Sequence, residues 1–462
     1  MLLDALKTIV GPKGWVSDNA ELEPHLTESR GVARGKTLIM VSPRSTQEVA
    51  RIVQACAREH VGVVPQGGNT GLCGGAIPDD TGEQVLLSLA RMNAIRNIDP
   101  QDFSITVEAG CILSVVQDAA LSAGRYFPLS LAAEGSCQIG GNLSTDAGGI
   151  NVIRYGTARQ QVLGLEVVLA DGRVWDGLRS LRKDTAGYDL KQLFLGSEGT
   201  LGIITAATLK LYPEPGEMAT AFIALNSAHQ AVELLASLRD KLSDRIQAFE
   251  LISDRALRFV TRHIPGTSAP FDASWPWFVL LDAAVGDGAQ LVEEALAAAI
   301  DLGVAQDAIV AKNGSEAAAF WRARHSISEA QRFEGASLKH DISVPIGKLG
   351  EFLERAAKLI EELLPSSRLV AFGHIGDGNL HYNVSQPKKA DPDEFRIAGK
   401  ALTAAIYALV TKLGGSTSAE HGIGTFKKAD LLNCRSRTEI DLMRTVKQAL
   451  DPDNILNPGK VI

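Results

Sequence analysis

Histidine and acidic residues of this chain fall inside two glycine turns. His374 and His381 flank I-G-D-G-N-L (375–380), and Glu420-His421 opens E-H-G-I-G (420–424). Asp377-Gly378 is a turn pair. If 368–374 and 380–384 form a hairpin around it, the two imidazoles stand near one another at its mouth. Two imidazoles and one carboxylate make a borderline-hard donor set for Zn²⁺ or a similar divalent ion, with positions left open for a substrate. A single histidine is more often a hydrogen-bonded structural residue, but three of the nine falling in two turns shift the balance towards chemistry. Asp377 reads as a turn residue. Asp451 and Asp453 imitate a calcium loop, which Pro452 and the spacing rule out.

Glycine is the unusual component, 44 of 462 residues against 5% aromatics. The glycines cluster in P-Q-G-G-N-T-G-L-C-G-G (65–75), E-G-S-C-Q-I-G-G-N-L-S-T-D-A-G-G-I (134–150) and G-S-E-G-T-L-G (196–202). No collagen-like or low-complexity period organises them. A Rossmann G-x-G-x-x-G and a Walker A loop are both missing: G-D-G-A-Q-L (286–291) and G-I-G-T-F-K (422–427) each fail at the third glycine. NAD in a Rossmann fold and P-loop chemistry are therefore disfavoured. What is left is a loop after a strand, rich in main-chain N–H groups, that can wrap a pyrophosphate by backbone alone. Taken alone, 65–75 reads equally well as a surface loop. The second cluster tips the reading, because Ser136, Asn142 and Thr145 add short polar contacts.

The chain has room for two or three domains. Apolar residues make up 45% and charged residues 22%, ordinary values for a globular protein. Net charge is −8 without a basic block, which argues against nucleic acid and anionic membrane as partners. No run reaches the ~18 apolar residues of a membrane span. M-L-L-D-A-L-K-T-I-V reads as a first helix and not as a signal peptide. Five scattered cysteines without C-x-x-C suggest a reducing compartment, with the cytoplasm expected. Strand-like runs at 37–43 and 61–65 surround a helix at 45–60 opened by Ser45 with Glu48 as a capping box. A hairpin is expected around Asp171-Gly172 and a long strand at 200–217, ended by Pro213 and Pro215. Beyond these prolines, strands at 221–225, 247–252, 277–284, 338–345, 368–374 and 380–384 alternate with helices at 228–242, 289–302, 315–332, 347–364 and 393–413. The fold class is α+β.

P-Q-G-G-N-T-G, G-S-C-Q-I-G-G-N-L-S-T-D-A-G-G and G-S-E-G-T-L-G-I-I-T, in this order, resemble the FAD-binding domain of the PCMH-type (vanillyl-alcohol oxidase) flavoproteins. The resemblance implies a two-part FAD-binding domain over 35–215 after an N-terminal segment, 1–34. A substrate (cap) domain would follow at 216–416, an antiparallel sheet flanked by helices, with 417–462 completing the active site. It implies non-covalent FAD with its pyrophosphate on the 65–71 loop and the 135–149 segment. The cofactor residues carried over are Pro65, Gly67, Gly68, Asn69, Thr70, Gly71, Ser136, Gly140, Asn142, Thr145, Gly149, Gly199, Ile204 and Asn457. One departure is Asp146, where relatives usually carry Asn. Its charge near a phosphate-bearing cofactor requires that it face away or be protonated.

W-R-A-R-H-S-I-S-E-A, K-H-D-I-S-V-P, G-H-I-G-D-G-N-L-H-Y-N-V, S-A-E-H-G-I-G and D-P-D-N-I-L-N-P-G-K resemble the D-2-hydroxyglutarate and D-lactate dehydrogenase branch over nearly the whole chain. The resemblance assigns the metal to His374, His381 and Glu420, and the proton-abstracting base to His421. It implies oxidation of a D-2-hydroxy acid by hydride transfer from C2 to flavin N5, with the ion stabilising the developing alkoxide. Zn²⁺ is the expected ion. Carboxylates need cationic anchors: Arg324 offers a bidentate fork and Lys339 a point charge. For an arbitrary Arg or Lys, solvated surface charge is the better reading, but both match motif positions, along with Ser328 and Asn383. Lys339 points to a second substrate carboxylate, hence D-2-hydroxyglutarate before D-lactate or glycolate. Readings from other classes are a flavin-bound non-catalytic subunit of a complex and a metal module without flavin. The expected electron acceptor is an electron-transfer flavoprotein or a quinone, and a homodimer is left open.

Overall fold

The computed structural model describes residues 2–286 and 289–462. Met1 and Asp287-Gly288, the latter part of the 286–291 segment weighed as a nucleotide motif, lie outside the described residues. The chain divides into two units. The first comprises Met1–Gly148, Gly156–Glu214 and Glu420–Ile462, the second Gly149–Tyr155 and Pro215–Ala419. The fold is α+β.

In the first unit, strands Ile39–Val41, Val85–Ser88 and Val63–Gln66 run parallel in that order, with Trp15–Val16 antiparallel on the outer edge. Parallel strands are buried on both faces, and these are: helices Leu2–Val10 and Thr46–Arg58 share a core with Val41, Val63 and Leu87. The second of these helices turns Val49, Ile52, Val53 and Cys56 inwards at helical spacing. Ser45 caps it by accepting the Glu48 N–H at 3.2 Å. The reciprocal half of the box shifts by one residue, because the Glu48 carboxylate accepts from the Arg44 N–H at 2.8 Å.

A second, antiparallel sheet runs in the order Ile95–Asp99, Ser104–Glu108, Ile203–Lys210, Val162–Val168, Val174–Gly177, with the expected hairpin at Asp171-Gly172. The long strand starts at Ile203 rather than 200, because 196–202 is spent on turns. The C-terminal tail runs beside Val63, whose N–H donates to Ile455 O and whose carbonyl accepts from Asn457 N–H, both at 2.8 Å.

The second unit is built on an antiparallel sheet in the order Asp307–Val310, Met218–Leu225, Trp277–Ala284, Ile246–Ser253, Arg368–Gly373, Asn379–Ser385. Both Ser337–Leu338 and Asp341–Ser343 pair with the last of these. The expected strand 338–345 is thus broken at Lys339-His340, although its register with 379–385 continues. At His340 the Nδ1–H donates to Tyr382 O at 2.7 Å, occupying the carbonyl that a ladder amide would use. The expected helix 315–332 is likewise two helices, Gly314–His325 and Ile327–Arg332, joined where Ser326 sits at ψ −3°.

Strand Arg368–Gly373 is anchored by Glu334, which accepts from Arg262 Nη1 at 3.0 Å, His263 Nε2 at 2.7 Å and Arg368 Nη1. Burial alone would raise the Glu334 carboxyl. The hydrogen bonds from His263, Arg368 and Arg262 outweigh it and bring the group from 4.5 to about 2. A depressed folded-state value contributes stability above the ordinary value and loses it as pH falls towards 2. The melting-temperature gap between wild type and Glu334→Gln is therefore expected to be widest above roughly pH 5.5 and to narrow as pH falls through 4.5 towards 2. A gap independent of pH would contradict the assignment.

Candidate active site

In the first unit the strand Val63–Gln66 delivers the 65–76 loop to a cleft of about 840 Å³, open solvent included. Of the residues expected to bind the cofactor, Pro65, Gly67, Gly68, Asn69, Thr70, Gly71, Gly140, Asn142, Thr145, Gly199 and Ile204 line it, and so does His421. The loop is held from outside. Gln66 Nε2 donates to His25 O (2.8 Å) and Ala76 O (3.0 Å), and Asn69 Nδ2 donates to Pro24 O (3.0 Å) and Thr27 O (2.9 Å).

The glycines divide by what a Cβ would meet. At Gly68 it would strike Ser136 O at 2.1 Å, at Gly140 Ala109 Cβ at 2.7 Å, and at Gly199 Pro65 Cγ at 2.5 Å. Packing alone requires these three. At Gly71 and Gly141 a Cβ would meet nothing within 4 Å, and at Gly67 nothing closer than 3.4 Å. Neither packing nor a positive φ demands glycine at these positions, so the missing side chains leave room in the cleft for a ligand. Gln138 supplies a second sign of one. It lines the cleft, and its Oε1 is buried without a hydrogen-bond partner among the described residues. A cradle of bare backbone with an orphaned acceptor fits a flavin dinucleotide.

Three expected cofactor residues stand elsewhere. Ser136 is exposed, its hydroxyl donating to Ala133 O at 3.3 Å. Gly149 belongs to the second unit. Asn457 is buried behind the cleft, where its Nδ2 donates to Gly75 O (2.9 Å) and Glu198 O (2.7 Å) and so ties two glycine turns together. Asp146 is not among the residues lining the cleft. It accepts from Thr157 Oγ1 (2.8 Å), Arg159 N–H (2.9 Å) and Arg159 Nε (3.0 Å), and the guanidinium balances its charge. Glu198, not singled out from the sequence, accepts from the Ile423 N–H (2.6 Å) and the Gly424 N–H (2.8 Å), fastening the turn that carries His421. Burial pushes its carboxyl above the ordinary value despite those two amides. The neighbouring Glu420 Oε1 stands 3.7 Å from His421 Nε2.

In the second unit, the expected hairpin 368–373/379–385 forms and brings the rings of His374 and His381 to 5.6 Å between centroids, edge to face. Asp377 is a turn residue whose Oδ1 accepts the Asn379 N–H at 3.1 Å. Strand register places Glu250, Phe372, His381, Asn383, Lys339 and Asp341 on one sheet face. Asp341 Oδ1 is 3.9 Å from His381 Nδ1 and accepts from Asn379 Nδ2 at 3.1 Å.

Glu250 is fully buried in a central strand. Its Oε1 accepts from His374 Nδ1 at 2.6 Å, and its Oε2 from Arg324 Nε at 2.8 Å and Nη2 at 2.7 Å. Burial raises this carboxyl, but its contacts with His374 and Arg324 outweigh burial and hold it below the ordinary value. Arg324, expected as a substrate clamp, is therefore engaged by Glu250 along one edge of its guanidinium. Asn383 donates through Nδ2 to Gln331 Oε1 at 2.9 Å, while Ser328 and Lys339 are exposed. Paired donors of this type, with His374 presenting its Nε2, suit a divalent ion.

Two family descriptions match the chain: "FAD binding domain" over residues 37–177 and "FAD linked oxidases, C-terminal domain" over 214–461. This chain belongs to the FAD-linked oxidase family. Its relatives include a D-2-hydroxyglutarate dehydrogenase of Xanthomonas citri pv. viticola, 41% identical over 92% of this chain and 89% of that one. Another is the mitochondrial D-2-hydroxyglutarate dehydrogenase of Arabidopsis thaliana, 36% identical over 99% of this chain and 80% of that one. A crystal structure of p-cresol methylhydroxylase with substrate bound superposes with a TM-score of 0.76 at 17% identity, covering 100% of this chain and 96% of that one, a likeness of fold. The resemblance carried by the glycine and histidine motifs is borne out, and the chain is an FAD-dependent oxidoreductase of this family.

For an FAD-linked oxidase, the two kinds of glycine make different predictions. Gly71→Val and Gly141→Val should lower the flavin-to-protein ratio at least tenfold while shifting apoprotein stability by no more than ~0.5 kcal/mol. Absorbance at the flavin band and thermal melting check this. Full flavin occupancy in both variants would contradict the open-cradle reading.

Proposed function

We propose that the chain oxidises a D-2-hydroxy acid, foremost D-2-hydroxyglutarate, to the 2-oxo acid. The observation carrying the reading is that His421 lines the same cleft as the glycines whose missing side chains leave room for a dinucleotide. The names of the relatives support the substrate class. FAD, when bound, supplies the hydride acceptor. A divalent ion, Zn²⁺ by the chemistry of the donors, supplies a Lewis acid, with His374, His381 and Glu420 as its holders.

The chain's own residues have separate tasks. His421 takes the hydroxyl proton at an imidazole nitrogen, the side-chain group most often used as a general base. Its position depends on Glu198, which fastens the amides of Ile423 and Gly424 in the same turn. Lys339 binds the carboxylate that distinguishes a diacid from lactate, and Asn383 and Ser328 offer polar contacts to the same substrate. Arg324 enters as the partner of Glu250.

No helix among the described residues is long and apolar enough to cross a membrane. We infer a reducing aqueous compartment, the cytoplasm, from the five cysteines, whereas the Arabidopsis relative is named mitochondrial. Electrons leave to an electron-transfer flavoprotein or a quinone.

D-2-hydroxyglutarate, D-malate and D-lactate assayed side by side with an artificial acceptor should rank in favour of the diacids. Lys339→Ala should lower kcat/KM for D-2-hydroxyglutarate by roughly 10–100-fold, the equivalent of one charge-assisted hydrogen bond, and leave D-lactate turnover nearly unchanged. Equal losses would remove the second-carboxylate role, and a clear preference for D-lactate would favour the lactate reading.

A further inference from the structure

A carboxylate in the middle of an apolar strand has to be explained by what it holds. The strand Ile246–Ser253 is buried at every position, and Glu250 is its only charged residue. Removing an ionised carboxylate from water costs several kcal/mol unless the geometry of its partners is good. Here both oxygens are used, and by different groups: Oε1 by His374 Nδ1 at 2.6 Å, Oε2 by Arg324 Nε and Nη2 at 2.8 and 2.7 Å. His374 and Arg324 are themselves nine-tenths buried. Arg324 also lies over the Phe372 ring, 4.9 Å from its centroid, so its plane is fixed from a second side.

We propose that Glu250 is a positioning residue for the metal ligand His374, held in place for that task by Arg324. A carboxylate can only accept, so it requires the proton of the neutral imidazole to sit on Nδ1, which leaves the Nε2 lone pair for a cation. Metal-ligating histidines commonly donate their second nitrogen in this way, and losing such a partner costs 10–100-fold in metal affinity. Arg324 supplies the opposite charge against Glu250 Oε2 and fixes the carboxyl plane inside the sheet. The same contact explains why Arg324 is buried rather than solvated. The proposal rests on the reading of His374 as a metal ligand.

The test uses the flavin-loaded full chain stripped of metal, titrated with Zn²⁺ by calorimetry. Glu250→Gln is expected to weaken Zn²⁺ binding 10–100-fold with the flavin content unchanged. Because that variant leaves Arg324 buried without a carboxylate, the double variant Glu250→Gln/Arg324→Met is measured beside it. It is expected to melt closer to wild type and yet to keep the weakened binding, which a loss of fold alone would not produce. ¹⁵N NMR of the stripped wild type should show His374 protonated on Nδ1, and Glu250→Gln should show a tautomer mixture. Wild-type affinity retained within twofold in the folded variants, or a His374 proton on Nε2 in the wild type, would overturn the proposal while leaving the metal reading intact. A wild type that binds no Zn²⁺ overturns both.

Discussion

Main-chain amides can meet a dinucleotide only where side chains are absent, and a loop without side chains has little of its own to pack. The first unit is organised around that constraint. Gly67, Gly71 and Gly141 keep the cleft open, so the residues that fix its walls stand behind them. Gln66 and Asn69 secure the 65–76 loop to residues 24–27 and 76. Asn457 ties the Gly75 and Glu198 turns together, and the tail reaches that position by running along Val63. Glu198 completes the set by fastening the turn of His421. Cofactor cradle and proposed base thus share one support.

The second unit meets a different constraint, the cost of charge in a sheet interior. Glu250 and Asp282 are each the only charged residue of a largely buried strand. Their fates differ with their partners. Among the described residues Asp282 has Thr220 and Trp321 as its side-chain donors, and burial raises it to about 6. Glu250 faces Arg324 and His374, whose contacts outweigh burial and hold it below the ordinary value. A carboxylate fixed at that point orients an imidazole at the mouth of the hairpin, where flexible packing would leave the ring free to turn.

Local signals were legible in the sequence, and long-range pairings were not. Asp377-Gly378 between two apolar runs announced the hairpin and the approach of His374 to His381. Likewise, glycine clusters after strands announced the cleft and most of its lining. What each glycine does was not legible: Gly68, Gly140 and Gly199 match the motif as well as Gly71 does, yet their reasons lie in Ser136, Ala109 and Pro65. Glu250 lies 124 residues from His374, and its only trace was a carboxylate inside the apolar run 246–253. Arg324 was found by its motif, but its burial against Glu250 was not legible, because spacing cannot tell a buried guanidinium from a solvated one. The break at Lys339-His340 depended on one imidazole nitrogen reaching Tyr382 O, a contact that strand propensity cannot foresee.

The central claim is that this chain removes hydride from C2 of a D-2-hydroxy acid with His421 taking the hydroxyl proton. Its most direct test is the anaerobic bleaching of the purified flavoprotein by D-2-hydroxyglutarate carrying hydrogen or deuterium at C2, followed in a stopped-flow instrument for wild type and His421→Ala. The account predicts bleaching without any partner protein, slower with deuterium, and strongly suppressed in His421→Ala with the flavin retained. A flavin that stays oxidised in the wild type, or is reduced just as fast in His421→Ala, would contradict it.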